Sequence, residues 1–444
     1  MTANPTAEPT TNPTAEPTAD LSADLSADPT AADAPAPIPG AAELFALDPA
    51  LAHLNHGSYG AVPSPVRAAQ EAFRIEQEAD PDGFFLALPE RVAAARTVIA
   101  PVLGADPAGL ALLGNVTEAV AVALDSVPFR PGDEILVTDH GYGVVTRAAE
   151  RRAAECGATV RLVRLPLEQA DPAPAVLAAV TGRTRVALLD RITSPTAREI
   201  ATPALLRALA AQGVVTMVDA AHAPGMLPPD REVGGADLRR PDRSGPDTYR
   251  PDTYRPDTYW PDFWFGNLHK WAFAPRPTAV LAVSEAWRER VRPLTYSWEH
   301  ERGFPFNVEW RGTADYTGWL AAPTGLRVLD GLGADRVREH NARLARYGQR
   351  LLTELAGLPP LPGGAGLAMR AVRLPATVAE DEPATRALMG AIRERLGARV
   401  AVRPWAGGGV LRISAQVYNR AEEYEKLAAG LAELLRSPGL PRSS

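Results

Sequence analysis

A lysine that follows a histidine and is walled by aromatic rings is the residue here with the most chemistry to offer. The run Phe263-Trp264-Phe265-Gly266-Asn267-Leu268-His269-Lys270-Trp271 reads as a buried strand that ends on a polar cluster. Trp264, Trp271 and Phe273 would desolvate the Lys270 amine, lower its pKa and leave more of it neutral and nucleophilic. A lysine needs that state to form a Schiff base. The ordinary alternative is a solvated strand-end cation.

Other apolar runs end on residues that could serve such a lysine. They are Asn115, Val116 and Thr117; Asp139, His140 and Tyr142; Thr193 and Ser194; Asp219 and His222. Asp219 closes the run Val214-Val215-Thr216-Met217-Val218, and a carboxylate there can keep a pyridinium nitrogen protonated, making the ring an electron sink. A helix beginning at Asn115 to Thr117 offers free N–H groups and a hydroxyl to a phosphate. Thr117 could equally be a plain N-cap, and His140-Gly141-Tyr142-Gly143 a solvated turn. Imine-forming lysine, pyridinium carboxylate and phosphate site together make the apparatus of pyridoxal 5'-phosphate chemistry.

The elements that must position these groups follow a βαβ pattern. Strands are predicted at 110–113, 134–138, 159–165, 185–190 and 214–219, with helices at 117–127, 144–156 and 203–212 between them. This pattern belongs to an α/β fold, a mostly parallel sheet covered by helices on both faces, where ligands bind beyond the carboxyl ends of the strands. Two earlier helices are predicted, one opened by Ser64-Pro65 and one over 89–102. After Lys270, 279–283 reads as an antiparallel or edge strand. A long helix over about 335–356 leads into a smaller α+β unit with strands near 367–374, 399–402 and 410–414.

Composition bounds the rest. The 444 residues suffice for two domains, and a net charge of -7 argues against a general nucleic-acid binder. One cysteine, Cys156, permits neither an intramolecular disulfide nor a multi-cysteine metal site, and no metal is expected. No apolar run is long enough to span a membrane. Residues 1–40, rich in Thr, Ala, Pro and Asp, read as a disordered tail without an export signal, so the expected location is the cytoplasm. The near-repeat of Asp247-Thr248-Tyr249-Arg250-Pro251, within a loop over 238–261, reads as a surface expansion.

The chain resembles the class V aminotransferase family of pyridoxal-phosphate enzymes (fold type I), in its isopenicillin N epimerase-like branch. The resemblance is carried by LNHGSYGAVP (54–63), GNVTEAV (114–120), DHGYG (139–143), SPT (194–196), VDAAHAPG (218–225), FWFGNLHKWAFAPRPTAVL (263–281), RGTADYT (311–317) and RISAQVYN (412–419). It implies a disordered tail to 40, a joining segment over 41–62, a large cofactor domain over 63–320 and a small domain over 321–444. By the same resemblance Lys270 would hold the cofactor and shuttle the α-proton, and Asp219 would pair with the pyridine nitrogen. His140 or Tyr142 would lie against the ring. His222, Thr193 and Ser194 would lie near the ring oxygen. Asn115, Val116, Thr117 and His269 would bind the phosphate, with Gly312 and Thr313 supplied by the partner in a homodimer. Arg412 would clamp the substrate α-carboxylate bidentately, with Asn55, His56 and Tyr59 at the mouth.

The implied substrate is an amino acid or a small molecule containing one, and every implied reaction begins by removing its α-proton. Epimerisation then needs a second acid, Tyr59, His56 or water. The competitor is a C–S lyase, since fungal hercynylcysteine sulfoxide lyases resemble the same branch, and transamination is third. Desulfuration needs a nucleophilic cysteine on a mobile loop, and Cys156 ends a helix. The Trp298-Glu299-His300-Glu301 segment matches no family pattern.

Overall fold

Continuous apolar runs make the central strands, because both faces of the sheet they form are covered. The computed structural model describes residues 34–229, 261–405 and 407–437. The expectations for residues 1–33 and for the repeat loop up to residue 260 lie outside the described residues. In chain order the first strands are β1 (Ala52–His53), β2 (Leu110–Leu113), β3 (Glu134–Thr138), β4 (Thr159–Val163), β5 (Thr184–Asp190) and β6 (Val215–Asp219). Then come β7 (Phe263–Asn267), β8 (Ala279–Val283), β9 (Met369–Leu374), β10 (Ala398–Arg399), β11 (Ala401–Trp405) and β12 (Gly408–Ser414).

A seven-stranded sheet has the order β2-β8-β7-β6-β5-β3-β4. All its neighbours pair in parallel except at β8, which runs antiparallel to both β2 and β7 and so lies inside the sheet. β2, β3, β6, β7 and β8 are buried at every residue, whereas the edge strand β4 is mostly exposed. The helices covering the sheet are α1 (Ser64–Ala79), α2 (Pro81–Val102), α3 (Val116–Ser126), α4 (Gly143–Cys156), α5 (Ala173–Ala178) and α6 (Pro203–Ala210). The short α7 (Glu285–Arg288) and α8 (Phe306–Glu309) precede α9 (Thr317–Gly331). Two apolar clusters, one on each face, form the core: Leu110, Leu112 and Leu136 look one way, Ala111, Leu113 and Ile135 the other.

α2 starts eight residues before the predicted boundary. Asp80 accepts the Gly83 N–H and Pro81 takes the first turn, where its missing N–H costs nothing, so Pro89 lies inside the helix. Order also begins earlier than residue 41, because Ile38 is buried with Phe45, Phe273 and Val417.

The smaller α+β unit has a three-stranded antiparallel sheet, β11-β12-β9, covered by α10 (Ala334–Ala356), α11 (Glu382–Leu396) and α12 (Ala421–Arg436) around its own cluster. The segment before α1 belongs partly to it: β1 pairs in parallel with β10, and Leu54 joins that cluster. The loop after β1 therefore runs between the small sheet and the end of β7. No helix among the described residues is long and apolar enough to cross a membrane.

Candidate active site

Lys270 lies in a tight turn between β7 and β8. The N–H groups of Leu268 and His269 both bond the Thr278 carbonyl, and the chain reverses through Phe273, held at φ 60. A non-glycine residue there stores strain of about 1–3 kcal/mol, which surrounding contacts must offset. The Lys270 side chain is 9% exposed, and its Nζ lies 3.3 Å from His222 Nε2. Trp271 Nε1 lies 3.4 Å from His222 Nδ1. An indole N–H only donates, so Nδ1 must be the bare nitrogen, and the proton of the neutral ring sits on Nε2. That N–H points at an amine which can accept only when unprotonated. Burial agrees: it holds His222 well below its usual range and, with Arg412 adding repulsion, lowers Lys270 to about 7.

Beneath the lysine, His56 Nε2 donates to the Lys270 carbonyl at 2.9 Å and His56 Nδ1 accepts from Tyr418 Oη at 2.9 Å. Burial lowers His56 to about 3, so the ring is neutral. Gly60 makes this approach possible, since a Cβ there would stand 2.3 Å from the His269 carbonyl and 2.5 Å from that of Lys270.

Two carboxylates line the floor. Asp219 ends β6; its Oδ1 accepts the Ala221 N–H at 2.9 Å and its other oxygen has no hydrogen-bond partner among the described residues. Burial raises it to about 6. Asp190 ends β5 in register with Asp219, is 5% exposed and accepts the Tyr142 N–H. Burial and the Asp219 charge both push it well above the usual carboxylate range. Sequence reading passed over Asp190, although a strand-end aspartate one strand from Asp219 was the available signal.

Beside the end of β7, α3 opens with Asn115 as N-cap. Val116 N–H is taken by Asn267 Oδ1 at 3.1 Å and Glu118 N–H by Asn115 Oδ1 at 3.0 Å. The Thr117 N–H and its exposed hydroxyl keep no partner among the described residues. His269 Nδ1 bonds the Thr278 carbonyl at 3.0 Å, which leaves Nε2 available.

Arg412, on β12, is 3% exposed and pairs with no carboxylate among the described residues. Its fork is satisfied by the Ser194 carbonyl and hydroxyl, Asn55 Oδ1 at 3.0 Å and Ser58 Oγ at 3.1 Å, while Nε has no partner. Burial lowers it to about 10, still cationic. A buried guanidinium held only by neutral acceptors is a site for an anion.

Some expectations move. His56 is fully buried under Lys270 and lines no mouth, whereas Tyr59 is 72% exposed. His140 is fully buried, with Nδ1 bonded to Thr196 Oγ1 at 2.7 Å and Nε2 to the Leu165 carbonyl at 2.9 Å, which fixes the plane of its ring. Tyr142, 41% exposed at the start of α4, is the open aromatic of that loop. The Thr193 hydroxyl is used inside its own turn by Thr196 and the Arg198 N–H, and Ser194 holds Arg412. The Thr193 proton is taken by Thr196, whereas Ser194 only accepts from Arg412 and keeps its O–H proton to donate. Arg311, the residue before Gly312 and Thr313, pairs with Glu118 in the first turn of α3 of the same chain.

The donor set fits pyridoxal 5'-phosphate: an amine, an open carboxylate oxygen, a phosphate-ready helix start and a buried cation without an anion. Residues 87–239 match the family model described as aminotransferase class-V. The isopenicillin N epimerase of Streptomyces clavuligerus is 32% identical over 417 residues, 87% of this chain and 96% of that one. The chain belongs to the class-V aminotransferase family. Its cofactor is accordingly pyridoxal 5'-phosphate. A probable chloroplastic L-cysteine desulfhydrase of Arabidopsis thaliana is 27% identical over 423 residues, 88% of this chain and 84% of that one. Among solved structures, cystine C-S lyase C-DES in complex with cysteine persulfide superposes with a TM-score of 0.70 at 19% identity, covering 86% of this chain and 97% of that one. The fold is therefore fold type I. Among the described residues no His, Cys, Asp or Glu group could hold a metal ion.

Proposed function

We propose that this class-V enzyme removes the α-proton of an amino acid held by Arg412 and returns it from the opposite face, an isopenicillin N epimerase-like reaction. The observation that carries this reading is the Lys270 amine, its pKa lowered to about 7 beside His222 and set in one buried site with an Arg412 fork that no carboxylate of the described residues pairs with. When bound, pyridoxal phosphate supplies the carbonyl for imine formation and a ring that acidifies the α-C–H. Arg412 orients the carboxylate through two parallel N–H donors, which fixes the face presented to Lys270. Lys270 Nζ takes the proton, a role its lowered pKa suits near neutrality. His222 Nε2–H and the Lys270 carbonyl bond to His56 fix where that nitrogen sits. The open oxygen of Asp219 would hold the ring N–H, and Asp190 carries the proton that two close carboxylates cannot both release. Thr117 and His269 would hold the phosphate. Tyr59, exposed beside Gly60, is the second acid.

The protein acts as a homodimer on this reading, supported by Trp298 at 93% and Tyr296 at 80% exposure on one segment. C–S lysis is the second reading, favoured by the desulfhydrase relatives, and it would use Lys270 and Arg412 identically. Incubation with candidate amino acids in deuterated water separates the two. Inverted product carrying deuterium at Cα supports epimerisation. Pyruvate from cysteine or its sulfoxide conjugates, without inversion, would replace it with lysis.

A further inference from the structure

Arg412 is not the only cation over the site without a counter-ion. In β11-β12-β9, Arg412 stands opposite Ala401 and Ala371, Val410 opposite Arg403 and Arg373, and Gly408 opposite Trp405. Directly paired residues share a face and alternate residues along a strand return to it. Arg403, Arg412, Arg373 and Trp405 therefore project from one face of this sheet. That face is turned to the strand-end loops of the large sheet: Trp405 packs edge-on against His140 at 4.6 Å, and Arg373 pairs with Glu168 at 3.1 Å. Arg373 is thereby neutralised. Arg403, between Trp405 and Arg412, is exposed, and among the described residues its guanidinium makes one hydrogen bond, Nη1 to the Val402 carbonyl at 3.4 Å. No carboxylate of the described residues pairs with it. Its charge reaches Arg412, whose pKa it helps to lower.

Two uncompensated guanidinium groups at diagonal positions on one face, about 7–8 Å apart along the sheet and somewhat less between Cβ atoms, match a ligand with two anionic groups rather than one. We propose that Arg403 is a specificity-determining residue that binds a carboxylate at the far end of the substrate side chain while Arg412 holds the α-carboxylate. The substrate class is then an amino acid with an acidic side-chain terminus. This rests on the reading that Arg412 clamps the α-carboxylate. Arg403 stays solvated until the ligand arrives, so its pairing offsets little desolvation and acts on selectivity.

The test uses the holoenzyme, with two readouts on wild type, Arg403→Leu and Arg403→Lys. One is the KM for Cα deuterium exchange of L-glutamate and its homologues one and two methylenes longer, each against its side-chain amide. The other is calorimetric binding of glutarate and adipate against butyrate and hexanoate, which needs no turnover. Wild type is expected to favour the acid over the amide, and the dicarboxylate over the monoacid, by roughly 10- to 100-fold, the worth of a charge-assisted contact. Arg403→Leu should abolish both preferences and Arg403→Lys should keep part of each, with unchanged thermal midpoints. Equal binding of diacids and monoacids by wild type, or preferences that survive in Arg403→Leu, overturns the proposal. Absence of Cα exchange with every amino acid, alongside Arg403-dependent binding of diacids, sinks the epimerase reading and leaves the diacid site standing.

Discussion

The chemistry at the residue scale turns on how burial sets protonation. With its pKa near 7, the Lys270 amine is about nine-tenths charged one unit below that value and nine-tenths neutral one unit above. Only the neutral amine attacks a carbonyl. The rate at which cofactor-free protein takes up pyridoxal phosphate should therefore climb through about pH 7 and level off above it, as followed by the visible band. A rate still climbing toward pH 10 would show an ordinary lysine. Arg412→Leu removes the charge meant for the substrate carboxylate and should cost about 2–5 kcal/mol, or roughly 30- to 5,000-fold in kcat/KM, expressed mainly in KM. A variant with unchanged KM would show that the clamp lies elsewhere. Lys270, Asp219 and Arg412 were legible because each is a polar residue at the end of an apolar run or in a long specific motif. Asp190 was not, since its meaning depends on the register of β5 against β6. The roles of His56 and His140 depend on depth, which residue type does not report.

At the scale of elements, the site depends on how the loop after β1 meets the turn after β7. Gly60→Ala would drive a methyl into the carbonyls of His269 and Lys270. It should destabilise by about 1–3 kcal/mol and lower cofactor affinity, measured by chemical denaturation and by titration of the visible band. A fully stable variant with wild-type affinity would show that the turn has room to move. Away from the site, the ion pair between Arg96 on α2 and Glu309 on α8, at 2.9 Å and 5% exposure on each side, also takes up the Leu112 N–H. Burial raises Glu309 to about 8, so in Arg96→Leu its carboxyl takes up a proton instead of staying an unpaired charge, and the variant should lose about 1–3 kcal/mol in urea unfolding at neutral pH, the cost of the lost buried contact. The strands of the large sheet were legible as apolar runs. The start of α2 was missed because Pro89 resembles a helix beginning, whereas Asp80-Pro81 supplies the actual cap. β8 was legible as antiparallel, but its place inside the sheet follows from pairing with both β2 and β7, which no local pattern encodes.

For the whole molecule, two sheets with separate apolar clusters face each other across the loop that carries Asn55 and Gly60, and Arg412 is brought from one to the strand ends of the other. The exposed Tyr296 and Trp298 belong to an open cleft that Trp310, Arg311 and Gly312 complete. If this is the dimer face, Trp298→Glu should shift the protein toward monomers in sedimentation velocity, and an unshifted dimer would place the interface elsewhere. The α/β class was readable from the alternation of runs. The stitching of the N-terminal segment into the small unit was not, because β1 is two residues long and its partner β10 lies far along the chain. The central claim is that Lys270 moves the α-proton of a substrate anchored by Arg412, and the most direct measurement is Cα deuterium exchange by Lys270→Ala loaded with cofactor, compared with wild type. Exchange in wild type and its loss by at least about a thousandfold in the variant, a loss of about 4 kcal/mol in transition-state stabilisation, is the predicted result; exchange that persists in Lys270→Ala contradicts it.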